Sequence, residues 1–113
     1  MVEKMIANMY LIGRSPAEDP FTRYLLDTIV MQAKAGKTNQ HVHLLQDGVL
    51  AAKKGSTWES RVIQLLDNGV KVTIQSEDVR ARGNFKVPDG ANLIVYSDVI
   101  DAIFDSERIC SDI

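Results

Sequence analysis

Residues 5–46, MIANMYLIGRSPAEDPFTRYLLDTIVMQAKAGKTNQHVHLLQ, spell out a strand, a helix and a second strand. Met5 to Ile12 is short, mostly apolar and closed by Gly13, which suits a buried strand. Asp19-Pro20 then supplies a helix start, because the aspartate can accept free backbone N–H groups and proline tolerates the first turn. Leu25, Ile29 and Ala33 recur at helical spacing beside Leu26 and Val30, and Gly36 offers a left-handed stop after Lys34, so the helix covers Pro20 to Ala35. His41 to Gln46 reads as the second strand, ended by Asp47-Gly48. A helix between two strands makes a parallel crossover and not a hairpin.

The alternation continues downstream. Val49 to Ala52 starts a short helix, and Ser56 and Glu59 have the spacing of a capping box ahead of Trp58, Val62, Leu65 and Leu66, a stripe that ends at Gly69. Val70, Val72 and Ile74 alternate with Lys71, Thr73 and Gln75, which predicts a third strand with one less buried face, near an edge of the sheet. Ser76 is placed to cap a short helix with Glu77 and Asp78 at its positive end, Arg80 and Arg82 at its negative end, and Gly83 as its stop. After the Pro88-Asp89-Gly90 turn, Asn92 to Tyr96 forms a fourth strand, and Ser97 caps a last helix carrying Val99, Ile100, Ile103 and Phe104. The pattern is βαβαβαβα, an α/β class with a mostly parallel sheet and helices on both faces.

Composition agrees with one domain spanning residues 1–113. The chain is 45% hydrophobic, and 13 Lys and Arg stand against 15 Asp and Glu for a net charge of -2. That balance lacks the dense positive face that drives direct nucleic-acid binding. The apolar start is broken by Asn8 and followed by Gly13-Arg14-Ser15, unlike a secretory leader, and no run approaches the roughly 18 apolar residues that cross a bilayer. With one cysteine, Cys110, no internal disulfide can form, so the expected compartment is the reducing cytoplasm.

In an open parallel sheet, ligands collect beyond the carboxyl ends of the strands. The residues to inspect are therefore Arg14 and Ser15, then Gln46, Asp47 and Gly48, then Gln75, Ser76, Glu77 and Asp78, with Ser97-Asp98 after the fourth strand. Carboxylates near helix starts occupy the donors a phosphate would need, which argues against a nucleotide, and capping alone accounts for them. Gly36-Lys37-Thr38 resembles the end of a phosphate-binding loop, but Met31 stands where its first glycine belongs and the order of helix and strand is reversed. His41 and His43 share one face of the second strand, yet two ligands fall short of a zinc site, and they read as ordinary strand histidines. Cys110 falls at the carboxyl end of the last helix, where the dipole opposes a thiolate despite Arg108 nearby. No catalytic set, metal or cofactor emerges from the residues themselves.

Three blocks go further: Leu11-Ile12-Gly13-Arg14-Ser15-Pro16, Leu44-Leu45-Gln46-Asp47-Gly48-Val49-Leu50-Ala51-Ala52, and Glu77-Asp78-Val79-Arg80-Ala81-Arg82-Gly83. Together they resemble the DsrE/DsrF/DsrH family, in particular its DsrH/TusB branch. That resemblance implies a small flavodoxin-like three-layer sandwich. It also implies membership of a sulfur-relay complex, in which persulfide sulfur passes between cysteines for tRNA 2-thiouridylation or sulfur oxidation. Related DsrE-like and DsrF-like subunits would be the partners, with self-association as the other arrangement. The family's relay cysteine would fall near Gln75 and Ser76, and the first-helix cysteine of some DsrH proteins within Phe21 to Gln32; neither place has a thiol here. Gln and Ser cannot hold transferable sulfur.

The leading expectation is thus a non-catalytic scaffold subunit whose strand-end loops meet a partner. Two others remain: a sulfurtransferase using Cys110 as a displaced relay thiol, and a homo-oligomeric small-ligand binder outside sulfur chemistry.

Overall fold

The computed structural model of the chain describes residues 4–113. Its elements are β1 (Ile6–Ile12), α1 (Pro20–Lys34), β2 (Gln40–Leu44), a 3₁₀ helix (Gln46–Ala52), α2 (Glu59–Asp67), β3 (Lys71–Gln75), α3 (Ser76–Ala81), β4 (Asn92–Ile94), α4 (Tyr96–Phe104) and β5 (Ser106–Asp112). The strands form one all-parallel sheet in the order β4-β3-β2-β1-β5. The chain steps outward from β1 to β4 and then returns across the sheet to β5. With right-handed crossovers, α1 and α2 fall on one face and α4 on the other.

The first face holds the core. Ile12, Val42, Leu44, Val72 and Ile74 pack against Leu26, Ile29 and Val30 of α1 and Val62 and Leu65 of α2, with Val49, Ala51 and Ala52 of the 3₁₀ helix sealing the top. Helix α1 begins as its sequence requires: Asp19 Oδ1 accepts the Phe21 N–H at 3.0 Å, and Pro20 occupies the first turn. Arg61 of α2 reaches Asp27 of α1 at 3.0 Å and lies 5.3 Å from the Trp58 ring centroid, clamping the two helices together.

Several expectations need correction. The segment after α4 is not helix and frayed tail: Ser106–Asp112 is a fifth strand, registered on β1 with Cys110 opposite Tyr10. Its interior residues are exposed because it lies at the sheet edge, which is why it lacks a strand-like apolar run. The buried hydroxyl of Thr22 donates to Asp112 Oδ2 at 2.5 Å, tying its end to the start of α1. Strand β3 does lie near an edge, one strand in, between β2 and β4, but its expected wetter face is covered: Thr73 and Gln75 are 2% and 0% exposed.

Among the serines expected to cap, Ser56 Oγ is buried without a partner, and Glu59 reaches back to the Gly55 N–H at 3.1 Å instead. Ser76 lies inside α3 and bonds Glu77, while Ser97 lies inside α4, which already starts at Tyr96. Strand β4 is correspondingly short.

Candidate functional site

At the carboxyl ends of the strands, the loops are drawn together by the backbone. The Gly13 N–H donates to Asp112 O at 2.8 Å and the Leu45 N–H to Ile12 O at 3.0 Å. Gly48 sits so close to β1 that a β-carbon there would collide with the Ile12 carbonyl, so only glycine fits. Around this junction Gly13, Arg14, Ser15, Glu18, Asp19 and Asp47 line a cavity of about 410 Å³. Three carboxylates against one guanidinium make it unfavourable for an anion. The guanidinium is also engaged, since Arg14 faces Asp19 and the Ile113 carbonyl, both at 3.4 Å. Buried Ser15 serves the local turn, accepting the Ala17 N–H at 3.3 Å.

The second and third loops are joined by charge. The Gln46 N–H, held at a positive φ of 50°, donates to Asp78 Oδ2 at 2.7 Å. Arg82 donates to Asp47 Oδ1 from Nε at 3.1 Å and from Nη2 at 2.9 Å, and to the Asp78 carbonyl at 3.1 Å. Arg82 is thus the strut of the site. It was legible in the sequence only as a cation at a helix end.

Beneath this surface, on the α4 side, runs a chain of side-chain hydrogen bonds. His41 Nε2 lies 2.7 Å from Thr73 Oγ1, which lies 2.8 Å from His43 Nδ1. His43 Nε2 meets Gln75 Oε1 at 2.8 Å, and Gln75 Nε2 donates to Glu77 Oε1 at 2.6 Å. The carboxylate at the end fixes every direction. It can only accept, so the Gln75 amide nitrogen faces it and the amide oxygen faces His43. His43 therefore carries its proton on Nε2, the Thr73 hydroxyl donates to His43 Nδ1, and His41 donates from Nε2 to Thr73. Three of the pair's four ring nitrogens are committed to this chain of bonds, and among the described residues no cluster of three metal-ligating side chains occurs.

Burial keeps both rings neutral. The His41 pKa is pushed down to about 4, by burial first and then by Lys71 and His43. That of His43 is lowered by burial, opposed by its bond to Gln75 and by Asp78 and Glu77. The Glu77 carboxyl is lowered mainly by the Gln75 amide, then by its own backbone N–H, with the Ser76 hydroxyl and the Tyr96 N–H adding.

Structure thus brings Arg14, Ser15 and Asp47 around one cavity, joins Gln46 and Asp47 to Asp78 through Arg82, and commits Gln75, Ser76 and Glu77 to the buried chain. Thr73, the hinge of that chain, was missed because an alternating threonine reads as a solvent-facing position. Cys110 stands apart on the edge strand, exposed, on the face of its partner Tyr10. The Tyr10 pKa is raised by burial and by the neighbouring Cys110.

Against known proteins, the family model described as DsrH like protein matches residues 16–108. The chain belongs to the DsrH-like family. The matched span runs from the first strand-end loop into β5 and includes the cavity-lining residues above except Gly13, Arg14 and Ser15. Two solved structures share the fold of this DsrH-like chain. The ychN protein from E. coli superposes with a TM-score of 0.85 at 13% identity, covering 95% of this chain and 99% of that one. A protein of unknown function, MTH1491 from Methanobacterium thermoautotrophicum, has a TM-score of 0.69 at 17% identity, covering 91% and 98%. Comparison with curated proteins returned no match. No helix among the described residues is long and apolar enough to cross a membrane.

Proposed function

We propose that this DsrH-like chain is a non-catalytic subunit of a sulfur-relay assembly, presenting its strand-end loops to DsrE-like and DsrF-like partners and positioning a partner's thiol. The observation that carries this reading is chemical. At the end of β3, where the family resemblance puts the relay cysteine, Gln75 and Ser76 are both held against Glu77, at 2.6 and 3.2 Å. Neither can form a persulfide, and the Gln75 amide is already spent at both ends. The surface above them is acid-rich and its loops are cross-bonded through Asp78, Arg82 and Asp47, which suits docking. Native mass spectrometry after co-expression with DsrE-like and DsrF-like proteins tests it: a discrete hetero-oligomer is expected, and a chain that stays alone with every partner offered refutes it.

Cys110 supports a second reading, a sulfurtransferase with a displaced thiol. The dipole objection falls, since Cys110 lies on a strand, is exposed, and shares its face of β5 with Arg108. Loading the chain with sulfane sulfur and comparing Cys110→Ser decides between them. Undiminished transfer by the variant removes Cys110 from the relay.

A further inference from the structure

Two helices carry large apolar side chains that the fold leaves uncovered. On α1, Phe21, Tyr24 and Met31 are 58% to 70% exposed, and their spacing, with Thr28 between, sets them in one stripe along the outer side of the helix. The Thr28 hydroxyl is turned back onto the Tyr24 carbonyl at 2.8 Å, so no free polar group interrupts the stripe. On α4, Val99 is the one buried residue, while Tyr96, Ile100 and Phe104, each four apart, are 52% to 72% exposed. A helix that buries so little of its apolar surface is short of a partner. With about 150–250 Å² in a whole aromatic side chain, each stripe leaves roughly 400 Å² of apolar surface in water, a size at which a patch marks a contact site.

The charges beside the stripes select what covers them. Arg23 and Lys34 border the α1 stripe, and Asp98 and Asp101 border the α4 stripe. Among the described residues none of these four enters an ion pair, whereas Asp27, on the cationic side of α1, is already taken by Arg61. Lys4, beside the end of α4, is spent on the Phe104 carbonyl. Two α1 stripes, or two α4 stripes, would set like charges together or leave them unpaired; an α1 stripe against the α4 stripe of another copy pairs them. The cations lie on one side of their stripe and the acids on the opposite side of theirs, so the borders meet when the two helices run parallel. Both helices run back against the strands of one parallel sheet, and copies turned about an axis along the strands satisfy that condition.

We propose that the α1 stripe of one copy of this chain docks on the α4 stripe of the next, a head-to-tail contact that closes into a ring. It uses the two faces of the sheet and not the strand-end loops, so it is independent of the sulfur-relay reading. Sedimentation velocity of the full chain tests it with Tyr24→Glu and Ile100→Glu, both at exposed positions, their folding checked by circular dichroism. The parent should sediment as an oligomer of discrete size at about 100 µM chain. Every contact needs one stripe of each kind, so either variant alone should be a monomer. An equimolar mixture of the two keeps one intact pair of stripes and should give a species of two chains. Reversing both acids, Asp98→Lys with Asp101→Lys, should raise the concentration for half assembly about tenfold. The proposal is overturned by a parent that is monomeric at that concentration, by either single variant assembling as the parent does, by a mixture that stays monomeric, or by unchanged assembly of the acid-reversed variant.

Discussion

Lowering the pH below neutrality should destabilise this protein through its buried histidines. In the unfolded chain His41 titrates near 6.5, and in the folded chain it is held at about 4. A depressed base is unprotonated in the fold while the unfolded chain takes up a proton, so stability is complete above about pH 6.5 and drains away as pH falls toward about 4. Linkage gives the size: between about pH 7.5 and about pH 5, His41 alone withdraws about 2 kcal/mol, and about 3 kcal/mol once both states are protonated. His43 adds to the loss in the same direction, because burial lowers it too. For a domain whose total stability is typically about 5–15 kcal/mol, that is a large share. The window is diagnostic, since the lowered carboxyl of Glu77 loses its contribution only below the ordinary glutamate range. Urea unfolding at constant ionic strength, at the two pH values, measures the difference directly. The m-value should hold while the midpoint falls. His41→Gln keeps a donor for Thr73 and removes the titration, so its stability should change less across the same interval. Equal stability of the parent at both pH values, or an undiminished pH dependence in His41→Gln, would refute the reasoning.

Four further outcomes follow from the same geometry. Thr73→Val, nearly isosteric, strands a donor on His41 and an acceptor on His43, and should cost about 2–4 kcal/mol in urea unfolding at neutral pH. Gly48→Ala forces a β-carbon into the Ile12 carbonyl and should cost about 3 kcal/mol or prevent soluble expression, with circular dichroism as the check. Arg82→Met breaks ion pairs at the rim, where Asp47 is 57% exposed. It should cost only about 1 kcal/mol, yet speed hydrogen exchange at the Gln46 amide as Asp78 loses its counterion. Gln75→Cys should destabilise by about 2–3 kcal/mol by cutting the buried chain between His43 and Glu77, whereas Ser76→Cys, giving up one 3.2 Å bond, should stay within about 1 kcal/mol of the parent in the same assay.

The parts of the fold that were legible are those where local chemistry and burial agree. Asp19, Pro20 and Gly36 bracket α1 because a cap, a ring and a left-handed turn act within a few residues. Strand β1 announced itself through an apolar run, since an interior parallel strand is covered on both faces, and β2 through its place between α1 and the Asp47-Gly48 turn. Strand β5 did not, because an edge strand with exposed Glu107, Arg108 and Cys110 carries no apolar signal and owes its place to the β1 ladder. The strand-end loops were legible from topology alone, which is why Arg14, Ser15, Gln46, Asp47 and Gly48 were found. The buried chain was not, because alternation assigns Thr73 and Gln75 to water whereas the folded chain buries both.

Hydrogen bonding explains why polar residues persist on a covered face. His41, Thr73, His43 and Gln75 form a buried row whose side-chain bonds end on Glu77. An apolar row there would bury as well but would leave the Glu77 carboxylate without the Gln75 amide. A row of directional bonds instead ties the end of β3 to β2 and to the first turn of α3. The residue at the end of β3 is then held by two bonds that a thiol could not reproduce together, since a cysteine sulfur is only a weak acceptor for His43 Nε2 and is too short to reach Glu77 as the Gln75 amide does.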